Sequence, residues 1–198
     1  MINDIINLKS GINLVYGEGA TGKTTLALML AYEFSKFSKV VFIDTENGFS
    51  FDRFKQISGE NYENCLKNVL LIKAKNFEEQ IRVIKNLENI EKVSLIILDS
   101  LGMHYRLELK NDQKYANNKI SEIFKILKLI NEKNIFIFLT NQVYNNFDNN
   151  KLELVGGKMV RNLCGWIMKL EKNPRKLINE STNSEHLFDI MDSGIRLL

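Results

Sequence analysis

Short, nearly unbroken apolar segments recur along the chain, and longer stretches of mixed polarity separate them. A strand that is buried on both faces of a parallel sheet has this continuous apolar pattern, whereas a strand with one exposed face alternates between apolar and polar residues. We therefore predict core strands in these segments. They cover residues 12–16, 40–43, 69–72, 95–98 and 135–139.

Between these segments, apolar residues are often spaced three or four positions apart, as on the buried face of an amphipathic helix. The apolar positions are Phe77, Ile81, Ile84 and Leu87 in one run, and Ile120, Ile123, Phe124, Leu127 and Ile130 in another. Strands that alternate with helices predict an α/β fold, in which helices flank a mostly parallel sheet.

The pattern changes after Gly165. An apolar run over residues 166–170 is followed by turn-forming residues around Pro174 and by another run at residues 187–191. Short strands that are joined by tight turns pair antiparallel. We therefore predict antiparallel strands that extend the C-terminal edge of the sheet.

Composition narrows the class of protein. The 198 residues fit one domain, and hydrophobic residues at 44% and charged residues at 26% are ordinary globular values. The first residues show neither a secretory signal nor a membrane-spanning run, so we expect a cytoplasmic protein without a membrane contact. Cys65 and Cys164 form no metal-binding pattern. A net charge of +3 permits nucleic-acid binding without requiring it.

A glycine-rich segment follows the first predicted strand and matches the phosphate-loop pattern G-x-x-x-x-G-K-[ST]. It consists of Gly17, Glu18, Gly19, Ala20, Thr21, Gly22, Lys23 and Thr24, and Thr25 continues into the predicted helix. Backbone N–H groups in such a loop point inward, and the helix N-terminus adds partial positive charge. The sequence therefore predicts a nucleotide-phosphate site that comprises these residues.

The chemistry of this segment points to ATP and Mg²⁺ as cofactors. Lys23 can reach the β- and γ-phosphates, and the Thr24 hydroxyl can bind the magnesium ion that bridges them. Asp99 ends an apolar strand, where it is placed to act as a further magnesium partner. An isolated aspartate at a strand end is more often a cap or turn residue, so this role depends on the phosphate loop.

The segment over residues 42–53 resembles the second core strand of the RecA-like recombinases, in which an Asp-Thr-Glu-Gly sequence precedes an arginine. By this resemblance, Glu46 matches the glutamate that activates the attacking water, and Arg53 matches the arginine that stacks on adenine. Gln142, within residues 139–143, matches the glutamine that senses the γ-phosphate. Without the resemblance, Glu46 and Arg53 would be ordinary exposed residues, and Gln142 would be a strand-end cap.

Further segments extend the resemblance over nearly the whole chain. Residues 98–106 are similar to the stretch that runs from the metal-binding aspartate into the first DNA-binding loop, and residues 154–158 to the glycine pair that closes the second. The resemblance implies a RecA-like P-loop ATPase core in a single domain over residues 1–198. It also implies antiparallel strands at the C-terminal edge, since residues 188–194 resemble the closing strand.

The two loops carry the candidate DNA contacts. Arg106 and Lys110 lie in the first loop, Lys151 lies in the asparagine-rich second loop, and Lys158 and Arg161 follow it. These cations can bind phosphates, and Tyr105 can stack a base. Each lysine or arginine taken alone is more simply explained as a solvated surface residue.

The resemblance is to short archaeal paralogues of the recombinases, because sixteen residues precede the phosphate loop. We therefore expect no N-terminal helical DNA-binding domain. Ala20 stands where the main recombinases often carry arginine, and together with the short second loop this argues against strand exchange. The resemblance implies ATP binding with slow hydrolysis, DNA binding, and association with the main recombinase and a Holliday-junction resolvase.

Two other functions remain open from the sequence. The protein can be a nucleotide-gated adaptor that acts mainly through protein partners, or a RecA-fold ATPase of the KaiC-like or helicase type. DNA-stimulated ATP turnover would separate a DNA-linked ATPase from an adaptor. The Asp-Thr-Glu segment and the Thr-Asn-Gln segment, which ends at Gln142, favour the recombinase class.

Overall fold

A nine-stranded sheet forms the centre of the protein in the computed structural model, which describes residues 6, 8–146 and 151–198. The order of its strands is β11-β10-β9-β8-β1-β5-β4-β2-β3. The strands are β1 (Ile12–Gly17), β2 (Lys39–Asp44), β3 (Val69–Lys73), β4 (Val93–Asp99), β5 (Phe136–Asn141), β8 (Trp166–Lys172), β9 (Arg175–Asn179), β10 (Ser184–Met191) and β11 (Gly194–Leu197). The small hairpin of β6 (Val143–Asn146) and β7 (Lys151–Leu154) lies outside this sheet.

Helices cover both faces of the sheet. They are α1 (Lys23–Ser35), α2 (Phe51–Ser58), α3 (Tyr62–Leu66), α4 (Phe77–Asn86), α5 (Gly102–Asn111), α6 (Gln113–Asn131) and α7 (Gly157–Leu163), with a 3₁₀ turn at Gly59–Asn61. Buried residues of α1, α2 and α3 belong to one apolar cluster, and those of α4, α5, α6 and α7 belong to the other. The predicted mostly parallel α/β fold is therefore confirmed.

The core strands have one apolar residue for each face of the sheet. Leu14 packs into the cluster on the α6 side and Val15 into the cluster on the α1 side, and Val41 and Phe42 alternate in the same way. Successive side chains of a strand point to opposite faces, so a strand that is buried on both faces is apolar at most positions. This explains the continuous apolar runs, each of which lies on a strand of the sheet.

The C-terminal strands follow the prediction except for the first. β8 pairs parallel with β1, and antiparallel pairing begins with β9 and continues through β10 to β11. The helix α7 precedes β8 and carries the chain back across the sheet, so β8 enters in the same direction as β1. The tight turn at Pro174 then reverses the chain, as expected for a hairpin.

Two predicted loops have regular structure. The first, which was expected to carry Arg106 and Lys110, is the helix α5, whose residues His104 and Tyr105 are buried. The second begins as the β6–β7 hairpin, so Asn145 and Asn146 of the asparagine-rich stretch lie on a strand. The rest of that stretch, residues 147–150, falls outside the described residues. None of the helices that the structure describes is long and apolar enough to cross a bilayer.

The helix α6 offers a direct test of this packing, because it carries the same residue type at a buried and at an exposed position. Leu127 is 0% exposed and Leu129 is 46% exposed. We expect Leu127→Ala to lower the free energy of unfolding by about 2–5 kcal/mol, because it leaves a cavity, and Leu129→Ala to change it by less than about 0.5 kcal/mol. Urea unfolding of both variants measures the difference, and equal losses would contradict the assigned helix face.

Candidate functional site

Neighbouring parallel strands end together at one edge of the sheet and bring the predicted site residues close to each other. Tyr16 is paired with Asn141 across β1 and β5, and Asp44 is paired with Asp99 across β2 and β4. The phosphate loop starts at Gly17, the last residue of β1. Since the carboxyl ends of parallel strands form the ligand-binding edge of an open α/β sheet, this edge is the candidate site.

The phosphate loop packs closely against the neighbouring strand. A Cβ atom at Gly17 would lie 2.3 Å from the carbonyl oxygen of Leu170 in β8, so only glycine fits there. Gly22 has a φ of 104°, a left-handed conformation that glycine adopts without strain. A cavity of about 270 Å³ opens above the loop and is lined by residues 20–25 and by Ile190. The loop therefore has the conformation and the space of an anion site.

The Lys23 side chain curls over the loop. Its Nζ donates hydrogen bonds to the carbonyl oxygens of Gly17 at 2.9 Å and Glu18 at 2.6 Å. Burial lowers the pKa of Lys23, and the negative charges of Asp99, Glu46 and Glu18 oppose this shift. A buried ammonium of this kind is stabilised by any further anion in the cavity.

Asp99 lies at the bottom of the same site and is almost fully buried. Its carboxylate accepts a hydrogen bond from Thr140 Oγ1, and the Thr24 hydroxyl is a further hydrogen-bond partner. Burial raises the pKa of Asp99, whereas these two hydrogen bonds lower it. A hydroxyl beside a carboxylate is a donor set that suits Mg²⁺, so the residues present fit the predicted metal.

The loop after β2 is shaped by Asp44, a residue whose role sequence reasoning missed. The buried Asp44 carboxylate accepts hydrogen bonds from the backbone N–H groups of Glu46, Gly48 and Phe49 at 3.0–3.1 Å. An aspartate that bonds to backbone N–H groups a few residues later is a known turn former, which is the signal that was available in the sequence. These bonds hold Glu46 at the edge of the site.

The carboxylate of Glu46 is held by side chains from two other strand ends. Gln142 Nε2 donates to both Glu46 oxygens, at 2.9 and 2.8 Å, and Ser100 Oγ donates to Oε1. A Cβ atom at Gly48 in the same loop would lie 3.6–3.8 Å from Thr24 and Asp99 side-chain atoms. The structure thus brings the predicted base, the predicted phosphate sensor and the predicted metal partners together.

Arg53 lies near this site but is held by the C-terminal hairpin. Its guanidinium donates to the carbonyl oxygens of Met191 and Asp192, and to Gln56 Oε1 at 2.9 Å. Ile190 of the same hairpin lines the phosphate-loop cavity. Arg53 is therefore fixed in orientation next to the cavity, as a residue that stacks on a base would need to be.

A second, larger cavity of about 1030 Å³ adjoins the phosphate loop on the side of α5. We call it the lateral cleft; it lies between α5, the β6–β7 hairpin and the start of α7, and Glu18 and Gly19 form one end of it. Arg106 and Lys110 line the cleft, and Lys158 is exposed beside it. The structure therefore places three of the candidate DNA contacts around one opening.

Two of the other candidate DNA contacts, Tyr105 and Arg161, do not have the expected positions. Tyr105 is 1% exposed and donates a hydrogen bond to Asn117, so its proposed stacking on a base is wrong in this structure. Arg161 is 35% exposed, and its guanidinium is engaged by an ion pair with Glu180 and by a hydrogen bond to Tyr16 Oη at 2.8 Å. Lys151 begins β7, and its side chain lies outside what the structure describes.

Tyr16 forms the centre of this internal network. It precedes the phosphate loop, donates to Glu180, and lies with its ring 5.0 Å from the Arg161 guanidinium carbon. Burial, together with the hydrogen bond to Glu180, raises the pKa of Tyr16 to about 12. The network joins β1 to α7 and to the turn after β9, so Arg161 supports the fold next to the phosphate loop.

Comparison with known proteins identifies the family. The family model described as Rad51 matches residues 6–196. The DNA repair and recombination protein RadB of Methanosphaera stadtmanae is 34% identical over 204 residues, covering 94% of this chain and 88% of the relative. RadB of Methanococcus maripaludis strain C7 is 34% identical over 214 residues, covering 100% of this chain and 98% of the relative.

A solved structure agrees with the sequence relatives. The crystal structure of the RadB recombinase superposes with a TM-score of 0.80 at 28% sequence identity, covering 95% of this chain and 90% of the other. The predicted resemblance to RecA-like recombinases and to their short archaeal paralogues is therefore confirmed, and so is the RecA-like fold.

The close approach of β8 to the phosphate loop is testable with two glycines of that loop. A Cβ atom at Gly17 would collide with the Leu170 carbonyl, whereas one at Gly19 would meet no described atom within 4 Å. We expect Gly17→Ala to lower the free energy of unfolding by about 1–3 kcal/mol, as overpacking does, and Gly19→Ala to change it by less than about 0.5 kcal/mol. Denaturant unfolding without nucleotide measures both, and a neutral Gly17→Ala would refute the contact.

Proposed function

Because the chain belongs to the Rad51 family, we propose that it is an ATP-binding and DNA-binding accessory protein of homologous recombination and DNA repair, which hydrolyses ATP slowly. Its relatives are named DNA repair and recombination protein RadB. The observation that carries the proposal is the convergence of Lys23, Thr24, Asp99 and Glu46 at one edge of the sheet. The lateral cleft then adjoins the same phosphate loop.

ATP binding rests on the phosphate loop. In the proposed complex, the backbone N–H groups of residues 17–25 face the phosphates, and Lys23 exchanges its two carbonyl partners for phosphate oxygens. The Thr24 hydroxyl and the Asp99 carboxylate hold Mg²⁺, which neutralises charge on the phosphates when it is bound. Arg53 stacks on the adenine beside Ile190.

Slow hydrolysis is assigned to Glu46 and Gln142. Glu46 is an exposed carboxylate at the rim of the site, where it can accept a proton from water that attacks the γ-phosphate. Gln142 has an amide that donates and accepts hydrogen bonds, which suits a contact with the γ-phosphate. Its bonds to Glu46 support a shared role of the two residues at that phosphate.

DNA binding is assigned to the lateral cleft. Arg106 and Lys110 provide positive charge, and exposed Tyr144 and Leu152 of the hairpin provide apolar surface for bases. The hairpin that forms one wall of the cleft begins directly after Gln142, which contacts Glu46. This continuity supports a function in which bound ATP and bound DNA influence each other.

Other parts of the proposal rest on the sequence and on the resemblance. They are the single-domain organisation over residues 1–198, the lack of strand exchange, the cytoplasmic location, and the association with the main recombinase and a Holliday-junction resolvase. Co-purification with these partners, with and without ATP, tests whether the protein acts as an adaptor.

The ATP assignment predicts a specific loss at Lys23. We expect Lys23→Ala to weaken ATP binding by about 100-fold or more, because charge-assisted hydrogen bonds to phosphate contribute most at a buried site. Lys36→Ala is the matched control, since Lys36 follows the same helix and pairs with Glu33 on the surface. Calorimetric titration with MgATP measures both affinities. Unchanged affinity in a folded Lys23→Ala variant would refute the nucleotide site.

The DNA assignment predicts that removing positive charge from the lateral cleft lowers DNA affinity and its dependence on salt. We expect the double variant Arg106→Ala/Lys110→Ala to bind single-stranded DNA more weakly, and to reduce the slope of log affinity against log salt by about 0.7 for each lost phosphate contact. The control is Lys36→Ala/Lys39→Ala, which removes equal charge from exposed positions at the opposite edge of the sheet. Fluorescence anisotropy at several salt concentrations measures the slopes. Equal slopes in both double variants would contradict the assignment of DNA binding to the lateral cleft.

A further inference from the structure

The structure assigns a positioning role to Ser100, a buried residue that directly follows the metal-binding candidate Asp99. We propose that the Ser100 hydroxyl keeps the Glu46 carboxylate aimed at the attacking water during ATP hydrolysis; this rests on the proposed function. Ser100 is 0% exposed, and its Oγ donates a hydrogen bond to Glu46 Oε1. Nothing in the sequence pattern distinguishes it from a serine that ends a strand.

Hydrogen bonds from the backbone and the hydroxyl of Thr45 connect Ser100 to the Glu46 loop. The Thr45 hydroxyl accepts from the Ser100 N–H at 2.8 Å and donates to the Ser100 carbonyl oxygen at 2.9 Å. The Thr45 N–H also donates to the Asp99 carbonyl oxygen at 2.8 Å. These bonds continue the pairing of β2 with β4 beyond Asp44 and Asp99. The Ser100 backbone, which carries the hydroxyl, is therefore held by bonds made within the protein.

Two residues donate hydrogen bonds to Glu46, and they differ in whether a bound phosphate could take their hydrogen bond. Gln142 is partly exposed and leads into the β6–β7 hairpin, so its amide can turn from Glu46 towards a phosphate. When it does so, the Ser100 bond to Oε1 remains. The other oxygen, Oε2, then loses its bond from Gln142 and becomes available to a water molecule. Ser100 is thus the constant donor, and Gln142 is the exchangeable one.

The role fits the chemistry of the step. The oxygen of the water forms a bond to the γ-phosphorus as the bond from that phosphorus to the β–γ bridging oxygen breaks, and ADP and phosphate are the products. The proton of the water passes to Glu46 Oε2 and afterwards to solvent. A carboxylate that rotates freely would present Oε2 to the water only part of the time, so a fixed hydrogen bond on Oε1 raises the rate.

Removal of the hydroxyl tests the role. We expect Ser100→Ala, in the full chain at saturating MgATP, to lower kcat about tenfold while the Kd for ATP stays within about twofold, since only an interaction that orients Glu46 is lost. Ser94→Ala is the control, because Ser94 lies on β4, the strand that Ser100 directly follows, and its buried hydroxyl has no hydrogen-bond partner among the described residues. That control should retain the parent kcat and Kd.

A second set of variants separates the possible failures. Ser100→Cys, which keeps a weak donor of similar size, should give a kcat between those of the parent and Ser100→Ala. Glu46→Gln should lose most turnover, and adding Ser100→Ala to it should cause no further loss. If Ser100→Ala weakens ATP binding as much as kcat, or still slows Glu46→Gln tenfold, the positioning role is refuted. Parent-like turnover of Ser100→Ala refutes it equally, whereas full turnover of Glu46→Gln refutes the proposed function itself.

Discussion

The alignment of the parallel strands β1, β5, β4 and β2 is the constraint on which the candidate site depends. Their backbone hydrogen bonds place the ends of these strands side by side, so that Gly17, Asn141, Asp99 and Asp44 share one edge. Both faces of these strands are buried, so a shift in register would bury different side chains and break the pairing. Strand pairing therefore brings residues that are far apart in the chain to one edge of the sheet.

Burial of charge gives this edge its chemical character. Lys23 and Asp99 lie in the same site, and burial favours the neutral form of each side chain. Burial therefore lowers the pKa of Lys23 and raises the pKa of Asp99. Partners already present reduce the cost: carbonyl oxygens bond to Lys23, and hydroxyl groups of Thr140 and Thr24 bond to Asp99. In a magnesium-bound triphosphate, the phosphates would provide an anion for Lys23 and the magnesium ion a cation for Asp99. This complementarity supports the proposed nucleotide ligand.

The proposed nucleotide site and the lateral cleft share residues. Glu18 and Gly19 belong to the phosphate loop and also line the cleft. At the end of β5, the buried Asn141 side chain donates to the Val155 carbonyl oxygen at 3.0 Å and accepts from the Gln142 N–H at 2.8 Å. These bonds connect the start of the β6–β7 hairpin to the residues that follow it. A displacement of Gln142 by a phosphate would therefore act directly on the wall of the cleft.

Features that depend on residues adjacent in the chain could be predicted from the sequence by itself. The phosphate loop is one continuous segment, and the apolar runs report the burial of their own strands, so the motif, the core strands and the family were correct. Tertiary structure alone decided the features that depend on distant residues. Tyr105 and Arg161 resemble surface residues in the sequence, but packing buried the first and gave the second Glu180 and Tyr16 as partners. Ser100 likewise contacts Glu46 only because β2 and β4 are paired. The sequence does not indicate which residues a short side chain will contact, because its neighbours are set by the pairing of the strands.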